Sequence, residues 1–209
     1  FALAHAKQHD LRRVIVVIPY LSIIEQNAKE YRDALGADVV LEHHSAVERS
    51  PQVSQLDDNG TSDDPSEASD MDKTMENWDV PVIVTTSVQF IETLFAAAPG
   101  QARKLHNIPR SVVIFDEVQT LPTHLLEPTL NILRELKNRW GVTFLFCSAT
   151  QPAFKKSSSL KNGFEEGEVI EIAPEPKSTF TALRRVNYDV KPKENLWDWR
   201  TVAEKMISY

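Results

Sequence analysis

The chain has 209 residues, 25% of them charged and 42% apolar, a size and balance that predict one domain with the start of a second. No apolar run approaches the ~18–20 residues of a membrane span, so no membrane partner is expected. A single cysteine, Cys147, excludes an intramolecular disulfide framework and a Cys-cluster zinc site, and fits a cytoplasmic protein. The net charge of −7 is local. Asp57, Asp58, Asp63, Asp64, Glu67, Asp70, Asp72, Glu76 and Asp79 are opposed in their stretch by Lys73 alone, which leaves the rest of the chain close to neutral. The opening Phe1-Ala-Leu-Ala-His-Ala has no basic stretch ahead of apolar residues. It reads as part of a longer protein and not as a signal peptide.

Short β-branched runs then alternate with amphipathic helical stretches, the pattern of an α/β fold with a parallel sheet covered on both faces. The runs are Val14–Ile18, Val39–Leu41, Val82–Val84, Val112–Phe115 and Thr143–Cys147, each almost continuously apolar, as strands buried on two sides should be. Ser22 with Glu25 spells a capping box for a helix to Leu35, with Ile24, Ala28, Tyr31 and Leu35 as its inward stripe and Gly36 as its stop. A second helix is expected over Ser87–Ala98, ended by Pro99-Gly100. A third starts near Pro122 or Pro128 and runs to Trp140, with Leu126, Leu130, Leu133 and Trp140 inward.

Residues 48–72 are rich in Ser, Asp, Asn, Gly and Pro and contain no aromatic residue, which predicts a mobile loop. Its Asp57-Asp-Asn-Gly60 is no calcium loop, because the glycine would have to be sixth after an Asp and position 55 is Gln. Lys191-Pro-Lys193 reads as a domain boundary: residues 1–190 form one domain, and 191–209 are a linker and helix leading to the next.

The chemistry concentrates in Ser111-Val-Val-Ile-Phe-Asp-Glu-Val-Gln119. An apolar strand ends in two carboxylates, delivered to the carboxyl edge of a parallel sheet, where ligands bind in doubly wound folds. One such acid can hold Mg²⁺ and its neighbour can orient or deprotonate an attacking water. A lone Asp-Glu after a strand is more often just the start of a loop. Here, however, the next strand ends in Ser148-Ala-Thr150 at the same edge.

A strand ending in Asp116-Glu-Val-Gln119 and a later one ending in Ser148-Ala-Thr150 resemble motifs II and III of superfamily two helicases. Ile18-Pro-Tyr-Leu-Ser22 and Val84-Thr-Thr-Ser-Val-Gln89 lie where motifs Ia, Ib and Ic fall. With Glu76-Asn-Trp-Asp-Val-Pro81, Arg103-Lys-Leu-His-Asn-Ile108 and Ser148-Ala-Thr-Gln-Pro152, the stretch up to Gln151 is similar to the CRISPR-associated helicase–nuclease of type I systems. That resemblance implies part of the first RecA-like domain of an ATP-dependent translocase on single-stranded DNA. The partners it implies are an HD nuclease, a second RecA-like domain and a CRISPR RNA-guided surveillance complex. It implies that Asp116 coordinates the Mg²⁺ of Mg-ATP and Glu117 activates water, while Gln119, Ser148, Ala149 and Thr150 couple nucleotide state to movement. It places Pro19, Tyr20, Thr85, Thr86, Ser87 and Gln89 on the DNA, with His44 and Ser45 as weaker candidates.

None of the glycines (Gly36, Gly60, Gly100, Gly141, Gly163, Gly167) is followed by Lys, so the sequence holds no Walker A loop and the fold is expected to lack the P-loop strand. The chain alone is therefore expected to be inactive, with Val112–Phe115 and Phe144–Cys147 left beside an open edge. His9-Asp10 lacks the further ligands of an HD nuclease, and the adjacent His43 and His44 should point to opposite faces. Two other readings stand beside this one: another superfamily two motor (an RNA helicase or restriction translocase), and a non-catalytic α/β binding module.

Overall fold

A computed structural model describes residues 1–44, 77–97, 99–149, 154–158, 160–185 and 197–207. The described residues form two units, Phe1–Glu168 and Val169–Tyr209. The expected loop over 48–72 and the expected boundary at Lys191-Pro-Lys193 lie outside the described residues.

The first unit is built on five parallel strands: β1 (Arg13–Ile18), β2 (Val40–His43), β3 (Val82–Thr86), β4 (Ser111–Phe115) and β5 (Thr143–Phe146), in the order β2-β3-β1-β4-β5. Strand geometry sends successive side chains to opposite faces. Ile15, Val17, Leu41, Ile83, Val113 and Phe115 therefore face one way, against α3 (Ser87–Leu94) and α5 (Leu126–Trp140). Val14, Val16, Ile18, Val40, Val82, Val84 and Val112 face the other way, against α1 (Ala2–Gln8) and α2 (Leu21–Leu35). Burial of both faces explains why the runs are continuously apolar, and each fully buried Val, Leu, Ile or Phe contributes roughly 1.5–3 kcal/mol.

The glycine stops hold. Gly36 has φ +106° and Gly141 φ +64°, a region where a side chain would be strained, and each follows the last residue of its helix. Pro128 falls in the first turn of α5, where its missing N–H is harmless.

Other local expectations are corrected. The Ser22/Glu25 capping box does not form: the N-cap lies two residues earlier, at Tyr20, and no side chain caps the helix. Helix α3 ends at Leu94, and Pro99 opens the one-turn helix α4 (Pro99–Ala102) instead of terminating α3. Trp140 is 54% exposed, because it is the last residue of α5, where the Gly141 turn leaves the sheet; Leu136 takes the inward place. Finally, β4 is paired on both sides, by β1 and by β5, so Val112–Phe115 has no open edge. Among the described residues the sheet's edges are β2 and β5.

The four residues of β5 are only half-buried. Phe146 nevertheless packs in ring contact with Phe115 at 5.9 Å, Phe154 at 6.1 Å and Phe164 at 5.8 Å, which ties residues 154–158 and 160–168 to the sheet. Arg134 on α5 fixes that segment, donating to the carbonyls of Asn162 (3.2 Å) and Gly163 (3.0 Å) and to Glu168 (3.3 Å). Burial alone would raise the Glu168 carboxyl, but the Glu165 N–H, Arg134 and Lys137 outweigh it and hold the group below its ordinary value.

The second unit carries α6 (Pro176–Ala182) and α7 (Trp199–Ile207). Asp198 caps α7, accepting the Thr201 N–H at 2.7 Å, and the hydrogen bonds from Thr201 lower its carboxyl. Among the described residues no helix is long and apolar enough to cross a membrane.

Candidate functional site

Strand register places the candidate residues along one edge. Ile18 lies opposite Thr86, Val17 opposite Phe115, and Phe115 opposite Phe146, so the segments leaving β1, β3, β4 and β5 all emerge at the carboxyl ends of parallel strands. Pro19-Tyr20, Ser87, Asp116-Glu117 and Cys147-Ser148 are the first residues beyond those ends. A one-residue slip in any pair would turn its side chains to the opposite face.

Beyond β4 the backbone turns sharply. Asp116 still donates its N–H to Val17 (2.9 Å), continuing the ladder by one residue. Glu117 then takes a left-handed conformation, φ 46° and ψ 49°. The turn is secured by the Glu117 N–H on Asp116 Oδ1 (3.1 Å) and by the Thr120 N–H and hydroxyl on the Glu117 carbonyl (2.9 and 2.8 Å). Val118, fully buried, donates to the Cys147 carbonyl at 3.1 Å and pins the turn to the end of β5.

The side chains complete the link. The Ser148 hydroxyl donates to Gln119 Oε1 at 2.6 Å, and the Gln119 amide donates to Glu117 Oε2. Three of the expected site residues are thus joined in one hydrogen-bonded line, from the end of β5 to the second carboxylate after β4. Burial, reinforced by the Asp116 carboxylate, raises the Cys147 thiol. Burial and then the charges of Asp116, Cys147 and Glu30 raise the Tyr31 hydroxyl. Both groups therefore stay protonated at neutral pH. Nothing in the chain order marks Tyr31 for this neighbourhood, since helical spacing places it only in the inward stripe of α2.

The oxygen donors suit a hard cation: one carboxylate ending a strand, a second beside it, and a hydroxyl across the edge. Among the described residues no three His, Cys, Asp or Glu side chains cluster as a ready-made metal cage.

The remaining candidates divide by burial. Tyr20 is exposed and Pro19 and Ser87 are half-buried. Thr85 is fully buried on β3, and its hydroxyl has no hydrogen-bond partner among the described residues. Thr86 and Gln89 are also buried. The Thr86 hydroxyl caps α3 by accepting the Gln89 N–H at 3.1 Å, and Gln89 gives its carbonyl to Thr93 (2.8 Å). His44 is buried at the end of β2, with Nε2 3.0 Å from Glu42, whose other oxygen accepts from Arg32 at 3.0 Å. Ser45 and Thr150 lie outside the described residues, and Ala149 is exposed.

A parallel sheet covered on both faces, with paired acids at its carboxyl edge and a hydroxyl-bearing turn on the next strand, is a RecA-like domain of helicase type. The model of the DEAD/DEAH box helicase family matches residues 1–157, and the chain belongs to that family. It is 29% identical over 151 residues to the CRISPR-associated nuclease/helicase Cas3 of Haloferax volcanii, a match covering 68% of this chain and 16% of that protein. Among solved structures it is similar to the DUF1998 helicase MrfA. The crystal structure bound to DNA and AMPPNP gives a TM-score of 0.45 at 17% identity over 78% of this chain and 21% of that one. The form bound to DNA gives 0.43, again at 17% identity, over 71% and 18%.

Proposed function

We propose that this chain is part of the first RecA-like domain of a cytoplasmic, ATP-dependent translocase on single-stranded DNA, working with a nuclease in type I CRISPR immunity. The observation that carries the reading is the line from Ser148 through Gln119 to Glu117, beside Asp116, within a stretch matched by the helicase family. The likeness to the Haloferax protein supports the CRISPR assignment. Residues 1–190 would hold the domain, and 191–209 would lead toward a second RecA-like domain. An HD nuclease and an RNA-guided surveillance complex would be the further partners.

In this reading Asp116 would hold Mg²⁺ through its carboxylate. Glu117 accepts a proton from the attacking water at its carboxylate, while the Gln119 amide fixes its orientation. Bound Mg-ATP supplies the transferable phosphoryl group and the charge that offsets its oxygens. Ser148, Ala149 and Thr150 change position with the occupancy of that edge and carry the change onward through Gln119. Pro19, Tyr20 and Ser87 meet the DNA strand directly. Buried Thr85, Thr86, Gln89 and His44 shape the loops that do so. The 209 residues contain no Gly-Lys-Ser/Thr, so the phosphate cradle comes from chain outside them.

The test is DNA-stimulated ATP hydrolysis by the intact protein. Glu117→Gln keeps the shape and removes the base, so turnover falls by about 10²–10⁴ while nucleotide binding is retained. Equal loss of binding and turnover overturns the role given to Glu117. Plasmid clearance by the guide complex that continues in the Glu117→Gln strain overturns the CRISPR assignment.

A further inference from the structure

Helix α1 carries two histidines that the site at the carboxyl edge does not use. His5 and His9 are one turn apart, and the His9 N–H donates to the His5 carbonyl at 3.0 Å, so both side chains leave the same side of the helix. Their ring centres are 4.3 Å apart, with the planes tilted by 41°. His9 is exposed and His5 half-buried, which leaves the pair open to solvent.

His5 is held from two sides. Phe1 stacks on its ring at 5.5 Å, and its Nε2 lies 3.1 Å from Thr143 Oγ1 on β5. With the Nε2–H donating to that hydroxyl, Nδ1 keeps its lone pair, and a metal-binding imidazole is oriented in the same way by an oxygen behind it. Thr143 opens β5 and pairs with Val112 near the amino ends of the strands, so the two histidines lie toward the edge opposite Asp116 and Glu117.

The spacing selects the ligand. A metal about 2.0–2.1 Å from one nitrogen of each ring would lie about 3.2 Å from each ring centre. Across a separation of 4.3 Å those two bonds meet at roughly a right angle. Among the described residues no third His, Cys, Asp or Glu completes a cluster, so water fills the remaining positions. Two imidazoles at such an angle suit tetragonal Cu²⁺ or Ni²⁺ better than tetrahedral Zn²⁺, and they suit oxygen-seeking Mg²⁺ least.

We propose that His5 and His9 chelate a divalent transition metal, Cu²⁺ in preference to Ni²⁺ or Zn²⁺, and that Thr143 is the positioning residue that fixes His5 for it. The metal would close the last turn of α1 and, through His5, tie that turn to β5. The site is independent of the nucleotide chemistry given above.

The experiment is isothermal titration calorimetry of the untagged 209-residue chain with CuCl₂, NiCl₂ and ZnCl₂, together with EPR of the Cu²⁺-loaded chain. Cu²⁺ binds most tightly, excess MgCl₂ does not displace it, and the EPR spectrum shows a pair of imidazole nitrogens in the equatorial plane. His5→Gln and His9→Gln each abolish this binding. Because His9 is exposed, His9→Gln keeps the melting temperature of the parent chain in EDTA, which separates loss of a ligand from loss of the fold. Thr143→Val keeps the shape, removes the hydroxyl and weakens binding by about 10- to 100-fold. Binding that survives either histidine variant, or a spectrum with a single imidazole nitrogen, overturns the chelate, since the metal then sits at the amino terminus or on another group. Zn²⁺ bound more tightly than Cu²⁺ overturns the geometry, and a Thr143→Val chain that binds like the parent overturns the role of Thr143.

Discussion

Replacing Glu117 by glycine should leave a more stable protein than replacing it by alanine. Both changes remove the same carboxylate and the same bond from Gln119, so the pair isolates the backbone. At φ 46° and ψ 49° a residue with a Cβ is strained by about 1–2 kcal/mol, which glycine escapes. Glycine gives back about 0.4–1 kcal/mol through the greater freedom of its unfolded chain. The difference spans about 0–1.6 kcal/mol, centred on about 0.8 kcal/mol, in favour of glycine. The turn itself survives either change, because Thr120 binds the Glu117 carbonyl and Val118 binds the Cys147 carbonyl. For a chain of this length, about 1 kcal/mol moves the melting temperature by about 2–4 °C, so paired urea and thermal unfolding of the two variants resolves it. An alanine variant as stable as the glycine variant, or more so, would show that the second acid is not delivered by a left-handed turn. Strain at this position also fits a residue kept for its chemistry, since any gain in stability from glycine comes with loss of the carboxylate.

Leu130→Ala, in the buried face of α5, should cost about 2–5 kcal/mol in urea unfolding, whereas exposed Trp140→Ala should change stability by less than about 0.5 kcal/mol. Thr86→Ala removes the side-chain acceptor of the Gln89 N–H and should cost about 1 kcal/mol, with faster amide exchange confined to the first turn of α3; unchanged exchange there refutes the cap. Glu168 has a folded-state value below its unfolded one, so the stability it adds is present above the ordinary glutamate value of about 4.3 and is lost as pH falls through the lower folded value. Wild type should therefore exceed Glu168→Gln in stability near pH 6 and match it in strong acid; a gap that persists in acid refutes the ion pairs as its source.

The strands and the acids were legible from sequence because both rest on short-range chemistry. Runs such as Val14–Ile18 carry β-branched side chains at successive positions, which suits only a strand buried on two faces, and Asp116-Glu117 at the end of such a run has one place to emerge. The glycine stops at Gly36 and Gly141 were legible for the same reason, since the left-handed conformation is cheap for that residue alone. Where a helix begins or ends depended on the tertiary structure. Ser22 and Glu25 have the spacing of a cap, yet the exit of the chain from β1 sets the N-cap two residues earlier, and Trp140 has the helical phase of a core residue but stands where α5 leaves the sheet. Strand order was likewise outside local pattern: that β4 lies between β1 and β5, with β5 at the edge, is a matter of which long-range pairings bury the most apolar surface. The same holds for the site. Sequence named Ser148, Gln119 and Glu117 separately, but only the register of β4 against β5 brings the hydroxyl to the amide and the amide to the carboxylate. That same packing turns Thr85 and Gln89 inward and leaves Tyr20 in solvent, because a side chain's exposure is decided by what the rest of the chain lays over it.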